Sequence, residues 1–222
     1  MRPDLTQNHR RQSPRALAAA VFGDQARVAC IEVATADVSA LHPVELSAIA
    51  KAVPSRQSEF AAGRMAARAA MTVDASIPMA ADRAPAWPEG VAGSITHAGG
   101  WAIAVVAGAD QLIGIDLEVD EPLPFDVLET VLTPAERQWL STQQDDPHWA
   151  RVIFSAKECA YKAQYARSGL LFGFEMFEVG FDLANGRFTA IFQDDAAPFS
   201  SGDRLSGRFS RAGGFILTGI LI

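Results

Sequence analysis

The sequence predicts an α+β protein made of two similar α/β subdomains, a pseudo-dimer in plan. Three observations lead there. Strand-like alternation recurs in short runs that pair as hairpins more often than they feed crossover helices. Strand, helices and hairpin in residues 16–110 are followed by strand, helices and hairpins in residues 111–222. The two halves divide near Gly108 to Gln111, where the apolar patterning lapses. No sequence repeat links them, so a duplication would be one of structure alone.

The elements follow in order. In Arg27 to Thr35, Val28, Cys30 and Glu32 alternate with Ala29, Ile31 and Val33, as in a strand. Residues 43–73 are helical in character. Pro54-Ser55 opens one helix in which Phe60, Gly63, Ala67 and Met71 recur at helical spacing. Residues 75–90, rich in Pro, Ala and acids, read as a loop. Gly93 to Gly108 forms two strands joined around Ala98-Gly99-Gly100.

Leu112 to Asp120 is the cleanest alternation. Ile113, Ile115, Leu117 and Val119 point one way, and Asp116, Glu118 and Asp120 point the other, away from the core. Thr133-Pro134 starts a helix with Thr133 as N-cap and Glu136 at the third helical position. A longer helix runs from His148 to Ala166. Two hairpins follow: Phe177–Leu183 with Arg187–Phe192, and Leu205–Ser210 with Phe215–Ile222.

Composition narrows the function. Apolar residues make up 49% and charged residues 20% of the 222, which excludes wholesale disorder, collagen and coiled coil. The 19 basic and 26 acidic residues give a net charge of −7. Four of the arginines (Arg2, Arg10, Arg11 and Arg15) fall in segment 1–15, which reads as a flexible basic tail. A negative field argues against nucleic acid as a partner. An anionic ligand would have to be met locally, by a bound cation or an arginine cluster. Cys30 and Cys159, far apart, make neither a disulfide framework nor a zinc site. No apolar run reaches the ~18–20 residues of a membrane span, and the charged-then-apolar order of a secretory signal is absent. A cytoplasmic monomer is the expectation.

Several side chains carry chemistry. Asp116 and Glu118, at i and i+2 on a strand, project from one face and form a partial cage for a hard cation such as Mg²⁺. The bland alternative is a solvated polar face. On the long helix, Glu158 is a third metal oxygen or a general base, and Lys162 can reach a phosphate. Ser155 and Tyr161 flank the same side. The alternative is an exposed i, i+4 Glu-Lys pair. Ser94, Thr96 and His97 precede a glycine pair, a corner suited to a phosphate oxygen; an idle turn histidine is the alternative. Arg56, Arg64 and Arg68 share the helix of Phe60, and Arg83 can join them. They form either an anion site or a solubilising face. Trp87 reads as a packing anchor.

In combination these segments are distinctive: R-x-x-x-F-x-x-G-R (56–64), R-x-P-x-W-P-x-G-x-x-G-S-I-T-H (83–97), G-I-D-L-E (114–118) and F-S-A-K-E-x-x-Y-K (154–162). Their order and spacing closely resemble the 4′-phosphopantetheinyl transferases, in particular the bacterial enterobactin-synthetase-activator subgroup. The resemblance spans about residues 50–165. Thr96, Leu117 and Cys159 are mild departures that remove no charged group.

The resemblance implies a fold of two α/β subdomains with the active site between them. It implies transfer of the phosphopantetheine arm of coenzyme A to a serine of an apo acyl, peptidyl or aryl carrier protein, with release of 3′,5′-ADP, in siderophore or other secondary metabolism. Carried over residue by residue, Asp116, Glu118 and Glu158 would hold Mg²⁺ (or Mn²⁺). His97 and Lys162 would contact phosphate oxygens, with Ser94 and Thr96 beside them. Arg83 would help to hold the phosphates, and Arg64 with Arg56 the 3′-phosphate. Glu158 would accept the serine proton. The apolar residues Leu170, Leu171, Phe172 and Phe174 form either a carrier-docking patch or core.

Overall fold

A computed structural model describes residues 13–143 and 146–222, so most of the basic segment 1–15 lies outside the described residues. The fold is α+β, with six helices and two antiparallel sheets among these residues. The first sheet contains β1 (Arg27–Glu32), β2 (Val91–Ala98) and β3 (Trp101–Gly108), in the order β1-β3-β2. The second contains β4 (Ile113–Val119), β5 (Phe177–Asp182), β6 (Arg187–Phe192), β7 (Arg204–Ala212) and β8 (Phe215–Leu221), in the order β4-β8-β7-β6-β5. The helices are α1 (Arg15–Phe22), α2 (Pro43–Ile49), α3 (Pro54–Met71), α4 (Leu128–Val131), α5 (Pro134–Thr142) and α6 (Trp149–Ser168).

Two local readings change. The first strand stops at Glu32, and Val33–Thr35 turn into a single 3₁₀ turn. Helix α1 carries no strong start signal; it follows Pro14, without a side-chain cap. Its order comes from tertiary burial: Leu17, Val21 and Phe22 pack with Phe215 and Leu217 of β8. Gly219 leaves room for them, since a Cβ there would lie 2.4 Å from both Val21 and Phe22.

The two long helices sit close to their sheets because the contact faces are small. On α3 that face is Ala61, Ala62, Gly63, Ala66 and Ala67, and a Cβ at Gly63 would meet Ile95 Cγ2 at 3.0 Å. On α6 it is Ala156, Cys159, Ala160 and Ala163. Opposite them, Gly114 of β4 has no room for any side chain, because a Cβ would lie 2.2 Å from the Cys159 carbonyl oxygen. Helix α6 is therefore seated directly on β4. Both cysteines are buried, and burial pushes the Cys30 thiol up to about 11 and Cys159 higher still.

The back of α6 is pinned by one buried ion pair. Thr133 and Glu136 form the expected capping box on α5. Glu136 also receives the Lys157 ammonium at 2.8 Å and the Val179 N–H at 2.8 Å. Lys157 donates in addition to the carbonyls of Val131 and Phe174. Three segments thus converge on a lysine only 1% exposed, which is structural. Removing one partner strands the other charge in the interior. Glu136→Ala is expected to cost about 3–5 kcal/mol in urea denaturation, far more than an exposed Glu→Ala.

Candidate active site

The site begins where the two sheets meet. Strands β2 and β4 are both edges, and side-chain hydroxyls join them. Ser94 Oγ accepts the Ile115 N–H at 3.2 Å, and Thr96 Oγ1 accepts the Leu117 N–H at 2.9 Å. The hydroxyl oxygens expected beside a phosphate therefore satisfy the backbone of β4. Thr96 also donates to Asp116 Oδ1 at 3.4 Å.

Asp116 is not on a solvated face, nor does it point away from the core as the alternation implied. Helix α6 covers it, leaving 4% exposed. Lys162 Nζ donates to its Oδ1 at 2.6 Å and Ser155 Oγ to its Oδ2 at 2.9 Å. Ser155 is fixed in turn by Thr218 of β8 at 2.9 Å. Burial alone would lower the Lys162 ammonium, but Asp116 outweighs it and holds the pKa above the usual range.

The i, i+4 pairing of Glu158 with Lys162 does not form, because Lys162 turns inward to Asp116. Glu158 is half-buried and makes no hydrogen bond or ion pair with a described residue. Burial raises its pKa, with Lys162 opposing and Asp116 adding. Glu118 is pushed up to about 7, first by burial and then by Asp116. Arg151 holds it at 3.0 Å and also donates to the carbonyls of Glu121 and Pro122. Arg151 escaped the sequence reading, although it lies two turns before Glu158 on α6.

A cleft of about 1080 Å³ runs past these groups. Its lining includes Asp116, Glu118, Lys162, Ser94, Thr96 and His97. Arg56, Arg64 and Arg83 line it as well; Glu158 does not. The volume lies at the upper end for small-molecule sites. Arg56 Nη1 lies 2.6 Å from His97 Nε2. A guanidinium can only donate, so Nε2 accepts and the imidazole is neutral. Burial lowers the His97 pKa, Glu59 opposes this, and Arg56 and Lys162 add to it.

Arg64 is 5% exposed. Its Nε donates to the Ile77 carbonyl at 2.7 Å, and its guanidinium lies 4.2 Å from the centre of the Phe60 ring. No carboxylate of a described residue is within ion-pair distance. Burial lowers it to about 10, still charged near neutrality. Arg68 leaves the expected cluster: Glu45 holds its Nη1 with both oxygens, at 2.9 and 3.0 Å. Arg83 is exposed and adopts φ 73° in the loop before Trp87. Trp87 anchors that loop, and only a glycine fits beneath its ring at Gly93, where a Cβ would lie 2.5 Å away. Of the apolar run after α6, Leu170 and Leu171 are exposed, whereas Phe172 and Phe174 pack against the core.

Asp116, Glu118 and Glu158 do not stand as a ready three-carboxylate cage. Among the described residues no group of three or more His, Cys, Asp or Glu is gathered to hold a metal ion. Lys162 and Arg151 occupy two of the three carboxylates. The donor set nevertheless suits a hard divalent cation: all three groups offer carboxylate oxygens, and the Asp116 charge acts on both Glu118 and Glu158. No helix among the described residues is long and apolar enough to cross a membrane.

Thr96→Val tests the seam between the sheets. It leaves the Leu117 N–H without its acceptor and is expected to cost about 1–3 kcal/mol in urea denaturation, with Thr96→Ser restoring most of the loss.

Comparison with known proteins gives a consistent answer. Residues 44–107 match the model of the 4′-phosphopantetheinyl transferase N-terminal domain, and residues 112–209 that of the 4′-phosphopantetheinyl transferase superfamily. The 4′-phosphopantetheinyl transferase Svp of Streptomyces mobaraensis is 40% identical over 197 residues, covering 83% of this chain and 80% of the relative. The 4′-phosphopantetheinyl transferase Npt of Nocardia iowensis is 37% identical over 198 residues, covering 81% and 88%. Enterobactin synthase component D of Salmonella typhi is 34% identical over 114 residues, covering 49% and 48%. With two such relatives aligned over most of its length, the chain belongs to the 4′-phosphopantetheinyl transferase superfamily.

Proposed function

We propose that this enzyme transfers the 4′-phosphopantetheine arm of coenzyme A to a serine of an apo carrier protein and releases 3′,5′-ADP. One observation carries the reading. A single cleft joins the Asp116–Glu118–Lys162 cluster to a buried guanidinium, Arg64, that has no carboxylate of a described residue within ion-pair distance. A ligand with both a pyrophosphate and a separate phosphate monoester matches that pair.

In the proposed reaction the carrier serine oxygen attacks the phosphorus that bears the pantetheine arm. The new O–P bond forms as the bond to the bridging oxygen breaks, and 3′,5′-ADP leaves with the electron pair. Attack on a polyanion requires charge neutralisation and in-line positioning. Lys162 donates to phosphate oxygens while Asp116 sets its position. His97 offers its Nδ1–H, because Nε2 already accepts from Arg56. Glu158, with its raised pKa and no partner among the described residues, accepts the serine proton directly or through water. Arg64, with Arg56, holds the 3′-phosphate, and Arg83 approaches from the rim. Ser94 and Thr96 act by fixing β4. Asp116, Glu118 and Glu158 are the residues that would hold Mg²⁺ (or Mn²⁺), whose chemistry here is to neutralise the pyrophosphate.

Residues 16–110 and 111–222 are proposed as the two subdomains flanking the cleft. The partial similarity to enterobactin synthase component D supports peptidyl or aryl carriers of siderophore or other secondary metabolism as substrates.

Intact-mass measurement of apo carrier proteins incubated with the enzyme, coenzyme A and Mg²⁺ should show a gain of the phosphopantetheine mass that EDTA abolishes. Release of phosphate-containing product without a carrier would instead indicate a phosphohydrolase. Asp116→Asn, which preserves shape, is expected to slow transfer by on the order of 100-fold or more. Arg64→Ala should weaken coenzyme A by about 10–100-fold but barely affect 3′-dephospho-coenzyme A. Equal losses for the two ligands would refute the 3′-phosphate assignment.

A further inference from the structure

The loop between α3 and β2 forms part of the cleft wall. Its base is closed by a bridge between Met79 and Pro85 and by the Ala86 N–H donating to the Pro78 carbonyl at 2.8 Å. Its tip is a tight turn: Ala80 N–H donates to Ala84 O and Arg83 N–H to Ala80 O, both at 2.9 Å. Asp82 braces this turn from inside, its Oδ1 accepting the Ala84 N–H at 3.0 Å. Its other oxygen, Oδ2, accepts the Tyr165 hydroxyl of α6 at 2.5 Å. Both ends of the contact line the cleft, as does Arg83 between Asp82 and Ala84.

The helix side of this contact is backed by ring contacts. The Tyr165 ring stacks on Tyr161 with centroids 5.9 Å apart, and Tyr161 meets the Phe172 ring edge-on at 5.6 Å. The loop side has little else to hold it near α6. Residues 80–83 are exposed, and among the described residues no other side-chain hydrogen bond joins residues 78–86 to that helix. One charge-assisted hydrogen bond therefore spans the two walls of the cleft, and it holds the turn that places Arg83.

We propose that Asp82 and Tyr165 form a strap that holds the Arg83 turn over the cleft and slows escape of the phosphate-bearing ligand. They are positioning residues: neither touches the reacting atoms, and they act through Arg83 and through closure. The proposal rests on the reading of the cleft as a coenzyme A site. It implies that strap loss raises Kd and KM for coenzyme A through faster dissociation and leaves kcat at saturating coenzyme A nearly unchanged. It also implies that the strap must open once per turnover for nucleotide to leave.

The test uses the full chain as wild type, Tyr165→Phe, Asp82→Ala and the double variant. Tyr165→Phe keeps the ring stack and removes only the hydroxyl. Without ligand, amide hydrogen exchange over residues 80–86 should accelerate in each single variant and no further in the double. With coenzyme A, stopped-flow dissociation should quicken by roughly tenfold in Tyr165→Phe, the size expected of one hydrogen bond to a carboxylate, and the double should match Asp82→Ala. Unchanged exchange in Tyr165→Phe overturns the strap. Accelerated exchange with unchanged dissociation overturns its role in retaining ligand, as does a fall in kcat with KM unchanged. Wild-type protein that does not bind coenzyme A overturns the reading of the site instead, and the ligand-free exchange then decides whether the strap exists.

Discussion

Two sheets here meet edge to edge through hydroxyl groups, and the site depends on that seam. A continuous ladder would have let β2 and β4 pair through their own carbonyls. Instead Ser94 and Thr96 accept the Ile115 and Leu117 N–H groups. The residue between those two donors is Asp116, whose side chain faces α6 while its neighbours are held from the other side. The seam thus serves as joint and jig together. It satisfies buried backbone donors that would otherwise be costly, and it fixes where the central carboxylate sits.

Around that carboxylate the charges are arranged in shells. Lys162 and Ser155 hold Asp116, Arg151 holds Glu118, and Glu158 has no hydrogen-bond or ion-pair partner among the described residues. Burial raises both glutamates, and the Asp116 charge adds to it, so three carboxylates share a site with only Lys162 and Arg151 of the described residues in ion-pair contact with them. Arg64 shows the converse, a buried cation with no carboxylate of a described residue in ion-pair contact, Glu45 acting on it only at longer range. Such opposed imbalances are hard to maintain for stability alone. They are the pattern expected where ligands complete the electrostatics.

Much of this was legible in the residues. The strand β4, the capping box of α5, the Pro start of α3 and both C-terminal hairpins follow from local rules, and the structure keeps them. What local rules missed is tertiary. Helix α1 has a glycine stop at Gly23 but no side-chain cap at its start, and it packs with Phe215 and Leu217 some 200 residues away. Alternation separated Asp116 from the apolar face but could not reveal that α6 covers its side. Helical spacing paired Glu158 with Lys162, and the shorter path to Asp116 won. Spacing also grouped Arg68 with Arg64, but Glu45, from a different helix, claimed it. Asp82 and Tyr165, distant in sequence, gave no signal of their meeting.

Gly114 sets a distance that the electrostatics depend on. Attraction between charges falls with separation and far more steeply once water enters between them. The Cys159 carbonyl lies where the first atom of any side chain at Gly114 would have to be. A single methyl there would lift α6 from β4 and open the 2.6 Å contact between Lys162 and Asp116 towards a solvent-separated pair. The hydrogen of this glycine acts as a gauge block, a spacer whose thinness calibrates an ion pair it never touches. Drift in chemistry among relatives can therefore arise at a position bearing no functional group at all.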